Sequence, residues 1–204
     1  MTLTIKRLSL LVTACASAFI LTACETPANT SAVKSMPTLE HLALGMDLNF
    51  PICPADIQGE NANITPIDGK VCQFQLQEGE VGNYQVKNHV ILLGSDSNEG
   101  LSAQVNMSVD TIDNKVIQFV ILTPGLNTQE QILGALIAKL GEPAEAQLVT
   151  EDIPGNPIAV NSLVAVWSLE NGQVLYIGGL KGQNVGRISA ESNFVLQLRQ
   201  QQMQ

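Results

Sequence analysis

Residues 116–122 read Val-Ile-Gln-Phe-Val-Ile-Leu, and this run decides how the rest of the chain can fold. A short and nearly continuous apolar run is typical of a strand that is buried on both faces. The stretch from Ala103 to Val109 alternates apolar with polar residues, as a half-buried strand does. Asp113-Asn114 lies between the two stretches and favours a tight turn. We therefore predict a β-hairpin whose second strand lies near the centre of an antiparallel sheet.

Five further stretches have the composition of strands. They are Val71–Leu76, Val86–Leu93, Leu163–Leu169, Val174–Ile177 and Val185–Ser189. Asn171-Gly172, a strong local signal for a hairpin, separates the third from the fourth. Residues 142–161 are polar and rich in proline, so they are predicted to form a loop. A short final helix is expected after Ser192 or Asn193, either of which could cap it.

The main helix is predicted at about residues 128–140. Apolar residues recur there at helical spacing and would form one face, namely Ile132, Leu133, Leu136, Ile137 and Leu140. Thr128 and Gln131 match a capping box, and Gly141 is typical of the position after a helix end. The predicted fold class is therefore α+β, an antiparallel β-sheet of hairpins with one main helix packed on one face.

Composition and charge restrict the classes of protein to which the chain can belong. Hydrophobic residues make up 45% of the 204 residues, which excludes a generally disordered chain. The net charge is −9, and the first 23 residues contribute only Lys6 and Arg7, so the rest carries about −11. Because contacts to phosphate require a basic surface, nucleic acid is not an expected partner.

The N-terminus has the three parts of a secretory signal. Lys6 and Arg7 precede an uncharged stretch, Leu8–Leu21, that is shorter than the ~20 residues of a transmembrane helix. This stretch ends in Leu21-Thr22-Ala23-Cys24, which resembles the lipobox of bacterial lipoproteins. Val12-Thr13-Ala14-Cys15 is a second candidate, but it would leave too short an apolar region before the cysteine. A plain signal peptide with an incidental cysteine is the alternative interpretation.

The lipobox resemblance implies a location for the protein. In that family residues before the cysteine, here the signal peptide 1–23, are removed, and Cys24 receives a diacylglyceryl group and an acyl chain such as palmitate. Two or more chains anchor a protein stably to a membrane. Glu25, where retained lipoproteins commonly have aspartate, favours the outer membrane, facing the periplasm. We expect residues 24–37 to be the lipidated cysteine with a flexible linker, and residues 38–204 to be a single α+β domain.

Cys53 and Cys72 remain once Cys15 leaves with the signal peptide and Cys24 is lipidated. In an oxidising compartment two remaining cysteines are expected to form a disulfide. A bridge that closes a loop of about 19 residues stabilises the fold by roughly 3 kcal/mol in the chain-entropy estimate. A metal site or a redox-active pair is not favoured, because neither a CxxC spacing nor a nearby histidine is present. No cofactor is expected.

A second resemblance involves the main helix and the residues that flank it. Gly125-Leu126 precedes the helix, Leu140-Gly141-Glu142-Pro143 ends it, and a strand pair with Trp167 follows after a loop. This pattern covers about a third of the chain and resembles the small BamE-type lipoproteins. The resemblance implies a twisted antiparallel sheet and a role in outer-membrane β-barrel assembly through protein contacts. The disulfide-closed N-terminal half departs from that family.

The first function compatible with these features is a non-catalytic, lipid-anchored envelope protein that binds a protein partner or supports envelope assembly. A contiguous apolar patch of more than a few hundred Å² on the open face of the sheet would mark the partner surface. The second is a small-ligand or inhibitor-type binding module, which an exposed Trp167 or Tyr176 would favour.

The third possible function is an envelope hydrolase. His41, in a short helical turn expected from Thr38, and His89, in a strand, are the two available imidazole bases, and neither lies in a nucleophile motif. A carboxylate pair could serve glycoside chemistry if two acids converged in an apolar cleft, the candidates being Glu142, Glu145, Glu151 and Asp152. The glycine-rich stretch 178–182 lacks the spacing of a phosphate loop and is interpreted as a turn. We therefore predict that the protein is not an enzyme.

Overall fold

The centre of the fold is an eight-stranded sheet. The structure is a computed structural model, and it describes residues 36–54, 70–94, 99–103, 106–151, 160–180 and 184–203. Its strands are β1 (Cys72–Val81), β2 (Tyr84–Leu92), β3 (Asn106–Ile112), β4 (Lys115–Thr123), β5 (Glu145–Glu151), β6 (Val160–Leu169), β7 (Gly172–Ile177) and β8 (Gly186–Ser192). A 3-10 turn (Leu126–Thr128) leads into α1 (Gln129–Leu140), and α2 (Asn193–Gln202) follows β8.

The strands lie in the order β1-β2-β3-β4-β8-β7-β6-β5, and every neighbouring pair is antiparallel. The sheet therefore consists of two four-stranded meanders, β1–β4 and β5–β8, joined by the pairing of β4 with β8. The predicted central position of residues 116–122 is confirmed, because β4 has three strands on one side and four on the other. The predicted fold class is confirmed in its coarse form, although strands predominate and α2 adds a second helix.

One face of the sheet, which we call the inner face, packs against the hydrophobic core. Its largest side chains, among them Phe119, Trp167 and Tyr176, are at most 2% exposed. The segment before β1 covers part of this face with four buried leucines, namely Leu39, Leu42, Leu44 and Leu48. Gly45 donates its backbone N–H to the carbonyl of Val116 at 2.7 Å, which fixes this segment against β4.

Helix α1 covers another part of the inner face. Ile132, Leu136 and Leu140 are buried, as the helical spacing of the apolar residues predicts. The indole nitrogen of Trp167 donates a hydrogen bond to the carbonyl of Gly141 at 2.8 Å, and the hydroxyl of Tyr176 donates to the carbonyl of Gln129 at 3.2 Å. These bonds satisfy the polar atoms of two large aromatic residues in the core and fix both ends of the helix.

The signals at the turns and helix ends were mostly correct. Asp113 and Asn114 form the β3–β4 turn with φ angles of 50° and 64°, and Gly141 ends α1 with φ 87°. Ser192 caps α2 by accepting a hydrogen bond from the backbone N–H of Val195. The capping box at Thr128 was wrong, because its hydroxyl donates to the carbonyls of the preceding turn instead of capping the helix.

Two other local predictions were wrong. Residues 145–151 are not a loop but the edge strand β5, which pairs with β6 over its whole length. The alternation in Glu145–Glu151 was a strand signal that the flanking prolines and acids obscured. The helical turn expected from Thr38 is instead a tight turn between Leu39 and Leu42, in which Glu40 and His41 have φ angles of 47° and 71°. The boundary of the signal peptide, Cys24 and most of the linker lie outside the described residues.

Candidate binding surface on the outer face of the sheet

The face of the sheet opposite the core, which we call the outer face, carries an unusual set of side chains. Alternation along each strand places there the neighbours of the core residues. The cross-strand partners form two rows: Val120, Ser189, Leu175 and Val166 in one, and Leu122, Arg187, Ile177 and Val164 in the other. We call these eight residues the outer-face patch.

Six of the eight residues in the patch are aliphatic, and all six are half-buried. They lie on β4, β7 and β6. Strand β8 lies between β4 and β7 and contributes the polar pair Arg187 and Ser189. An antiparallel sheet whose second face is fully solvated normally alternates apolar residues on one face with polar residues on the other. This sheet departs from that pattern, because aliphatic residues also occupy its outer face.

Arg187 lies within this aliphatic environment and has no counter-ion among the residues that the structure describes. Its cross-strand neighbours are Leu122 and Ile177. Its Nε atom is buried and has no hydrogen-bond partner. No ion pair of the described residues includes it; the nearest acid along β8 on the same face, Glu191, is paired with Arg199 at 2.7 Å. A guanidinium group is always charged and has five N–H donors, so Arg187 has an unmet capacity to bind an anion.

Helix α2 covers a different part of the outer face. The ring of Phe194 packs edge-to-face against Tyr84, with ring centroids 4.7 Å apart. Between α2 and the sheet lies a groove with mainly apolar walls, lined by Val81, Val86, Ile117, Phe194, Val195 and Leu198. Asp110 also lines the groove and accepts a hydrogen bond from the side chain of Asn88 at 2.7 Å. The patch and this groove belong to the same face.

The disulfide lies at the β1–β2 end of the outer face. Cys53 and Cys72 are bonded, with Cα atoms 5.0 Å apart, and both are buried with Leu92. This confirms the predicted bridge. The backbone N–H of Cys53 donates to the carbonyl of Gln73 at 2.8 Å, so the bridge holds the preceding segment along the outer edge of β1. The bridge is thus a structural staple that also protects part of an edge strand.

His89 is buried in the sheet beside the hydroxyl of Thr111. The Nε2 of His89 lies 3.1 Å from the hydroxyl of Thr111, and His89 is 8% exposed. Burial lowers the pKa of His89, the positive charge of Lys87 lowers it further, and Asp110 opposes both. This histidine is therefore a neutral, structural residue near pH 7.

The other residues considered from the sequence are exposed, buried in the core or outside the described residues. Glu142 and Glu145 are exposed, while Asp152 and the side chain of Glu151 lie outside the described residues. Trp167 and Tyr176 are 2% and 0% exposed, so they belong to the core. Burial raises the pKa of Tyr176 to about 12, which keeps its hydroxyl protonated. Among the described residues, no group of three or more His, Cys, Asp or Glu side chains could hold a metal ion.

Sequence reasoning missed a buried carboxylate that fastens the N-terminal segment to the fold. Glu40 is 0% exposed, and its carboxylate accepts the backbone N–H groups of Glu99 at 2.6 Å, Leu101 at 2.8 Å and Ser102 at 3.1 Å. Glu99 in turn pairs with Lys139 of α1 at 2.5 Å. We call this arrangement the Glu40 latch, because it joins the N-terminal segment, the loop before β3 and α1.

The pKa of Glu99 reflects its place in the latch. Burial raises this pKa, but the hydrogen bond from Lys139, the backbone N–H of Glu40 and the positive charge of Lys139 together outweigh burial. The pKa of Glu99 therefore lies below its ordinary value. The latch is a structural site, since its acceptors are saturated by backbone N–H groups and by Lys139.

Comparison of the chain with protein-family models, with curated proteins and with solved structures finds no match. Within the described ranges, the longest helices fall short of the length and apolarity that crossing a bilayer requires.

Proposed function

We propose that this chain is a lipid-anchored, non-catalytic protein of the bacterial cell envelope that acts by binding through the outer face of its sheet. Two independent features support the proposal. The lipobox-like stretch Leu21-Thr22-Ala23-Cys24 supports the anchor at the periplasmic side of the outer membrane. The outer-face patch supports the binding role, because aliphatic side chains grouped on a sheet face are typical of interaction surfaces.

The single observation that carries the binding role is the composition of the patch. Its aliphatic residues flank Arg187, which pairs with no acid in the described part of the chain. Interface centres combine apolar side chains with arginine in this way, whereas lysine and acidic residues are depleted there. The groove beside α2 extends the apolar surface available on the same face.

The anchor is tested by metabolic labelling with a radioactive or clickable fatty acid. We expect label on the parent chain and on Cys15→Ala, and none on Cys24→Ala, which should also leave the membrane fraction. Equal labelling and equal membrane retention of Cys24→Ala would refute the anchor.

The binding role is tested by site-specific photocrosslinking in living cells. A photoreactive residue at Leu175, within the patch, is expected to give discrete crosslinked products. The matched position is Gln131, an exposed residue of α1 on the other side of the sheet, which should give none. Products of the same kind and amount from both positions, or from neither, would contradict a binding role for the outer face.

The alternatives keep less support. A binding module based on an exposed Trp167 or Tyr176 is not favoured, because both side chains are buried. A hydrolase would need two converging acids, and the two candidates whose side chains are described, Glu142 and Glu145, are exposed. The similarity to BamE-type lipoproteins stays a prediction, and it points to the same non-catalytic class.

A further inference from the structure

We propose that the outer-face patch is a binding site for a single-chain anionic amphiphile, namely a long-chain fatty acid whose carboxylate pairs with Arg187. The inference rests on the proposed binding role of the outer face, but it does not depend on the lipid anchor. It follows from the charge of the patch, from its apolar surroundings and from the state of the strand backbone.

The charge of the patch selects an anion. Arg187 is the one charged residue of the eight, and it forms no ion pair with another described residue. Its guanidinium fork matches a carboxylate in geometry and can donate two parallel hydrogen bonds to it. The neighbouring aliphatic side chains reduce the exposure of this contact to water, and electrostatic attraction is stronger where water is scarce.

A second arginine on the same face, Arg199, has an acidic partner, whereas Arg187 has none among the described residues. Arg199, on α2, lies on the same face and pairs with Glu191 at 2.7 Å. That pair leaves both charges neutralised within the protein. Arg187 lies four residues before Glu191 on the same strand, where Leu122 and Ile177 are its cross-strand neighbours. An external anion can therefore pair with Arg187, for which the described strands and helices supply no acidic partner.

The surroundings of Arg187 select a ligand with a long apolar part. On one side β7 and β6 contribute Leu175, Ile177, Val164 and Val166, which form two adjacent cross-strand pairs. On the other side β4 contributes Val120 and Leu122. Neighbouring strands lie about 4.8 Å apart, so the patch from β4 to β6 extends roughly 14 Å across the strands. An extended hydrocarbon chain that starts at Arg187 can therefore contact aliphatic side chains in either direction.

The strand backbone favours an acyl chain over an extended peptide. Strands β4, β8, β7 and β6 are all paired on both sides, so their N–H and C=O groups are already used within the sheet. A peptide that lies flat on this face would bury its own backbone groups without partners, which is costly. A hydrocarbon chain has no such groups. We therefore infer a fatty acid rather than a peptide strand as the occupant.

The experiment measures binding of palmitate and of hexadecanol, which has the same chain without the charge, to the full-length chain carrying Cys24→Ala. This form has no acyl chain of its own at Cys24 that could compete. Displacement of a fluorescent fatty acid gives both affinities. We expect palmitate to bind at least tenfold more tightly than hexadecanol, since a charge-assisted pair in a partly apolar site is worth about one order of magnitude.

The variants separate charge from apolar contact. Arg187→Gln should weaken palmitate binding about tenfold and leave hexadecanol within about twofold. Leu175→Asn should weaken both ligands, because each buried methylene contributes about fourfold in affinity. Arg199→Gln, the matched control on the same face, should change neither. Circular dichroism and the unfolding midpoint show whether each variant is folded.

Two results would overturn the inference. The first is equal binding of palmitate and hexadecanol that Arg187→Gln leaves unchanged, because the charge would then play no part. The second is no binding of palmitate by the folded chain. If crosslinking at Leu175 still captured a protein in that case, the proposed function would stand and the fatty acid would be the wrong occupant.

Discussion

Replacement of Glu40 by glutamine is expected to destabilise the fold, although the side chain keeps its size. The carboxylate is fully buried and accepts three backbone N–H groups, from Glu99 on one oxygen and from Leu101 and Ser102 on the other. A glutamine has one acceptor oxygen and an NH₂ group that only donates. Whichever way the amide is turned, at least one N–H of the loop then faces a donor.

The expected magnitude follows from the number of bonds lost. A hydrogen bond to a charged group contributes about 1.5–3 kcal/mol, and a buried donor left without an acceptor costs about 1–3 kcal/mol. If the amide oxygen of Glu40→Gln keeps Leu101 and Ser102, the bond to Glu99 is lost and the other two become neutral. We expect a loss of about 2–3 kcal/mol in the free energy of unfolding. Glu40→Ala removes all three acceptor contacts, and about 4 kcal/mol is expected.

The assay is urea denaturation at neutral pH, followed by far-ultraviolet circular dichroism and analysed by linear extrapolation. The control is Glu142→Gln, an exposed charge that should change the free energy of unfolding by less than about 0.5 kcal/mol. A Glu40→Gln variant as stable as the parent would refute the reasoning, because the three N–H groups would not then depend on the charged carboxylate. A loss in Glu40→Ala alone would assign the energy to packing.

Three further predictions concern the disulfide, the Glu40 latch and the close contact of Gly172 with the backbone of β8. Replacing Cys53 and Cys72 together by alanine should lower the free energy of unfolding by about 3 kcal/mol, and reductant should give the same loss in the parent. Because the pKa of Glu99 is lowered in the folded state, its stabilisation is present above its unfolded pKa of about 4.5 and is lost as the pH falls through the folded pKa. Thermal unfolding between neutral and acidic pH should therefore show a smaller acid-dependent loss in Glu99→Gln than in the parent, and an equal loss would contradict the ion pair. Gly172→Ala should cost at least about 2 kcal/mol in urea denaturation, because its Cβ would overlap the backbone carbonyl of Glu191; an unchanged midpoint would show that the two strands can separate.

The best local predictions came from patterns that need only neighbours in sequence. The run 116–122 indicated a buried strand, Asp113-Asn114 indicated the turn before it, and the spacing of Ile132, Leu136 and Leu140 indicated the buried face of α1. Each pattern reflects a backbone periodicity or a φ preference of a few adjacent residues. The disulfide could also be predicted, because the lipobox-like pattern at the N-terminus set Cys15 and Cys24 aside and left Cys53 and Cys72.

Strand β5 shows where such reasoning fails. Its alternation in Glu145–Glu151 is short, and two charged ends and nearby prolines make it look like a loop. All seven residues of β5 pair with β6, and this pairing stabilises the strand. Pairing with a distant segment cannot be read from the local sequence. The capping box predicted at Thr128 was wrong for a related reason. Its hydroxyl donates to the carbonyls of the turn before the helix and does not accept a hydrogen bond from a helix N–H.

Patterns of adjacent residues were enough to predict two hairpins, the main helix and the disulfide, and the composition shows the acidic character of this chain. How distant segments pack decides three further features. Strand β4 pairs with β8, Glu40 reaches a loop 59 residues away, and Arg187 lies among aliphatic side chains with no ion pair to another described residue. The physical reason is that local conformation depends on adjacent residues, whereas the partner of a buried charge depends on which distant strands meet. The proposed binding surface belongs to the second kind of information, because its eight residues come from four strands.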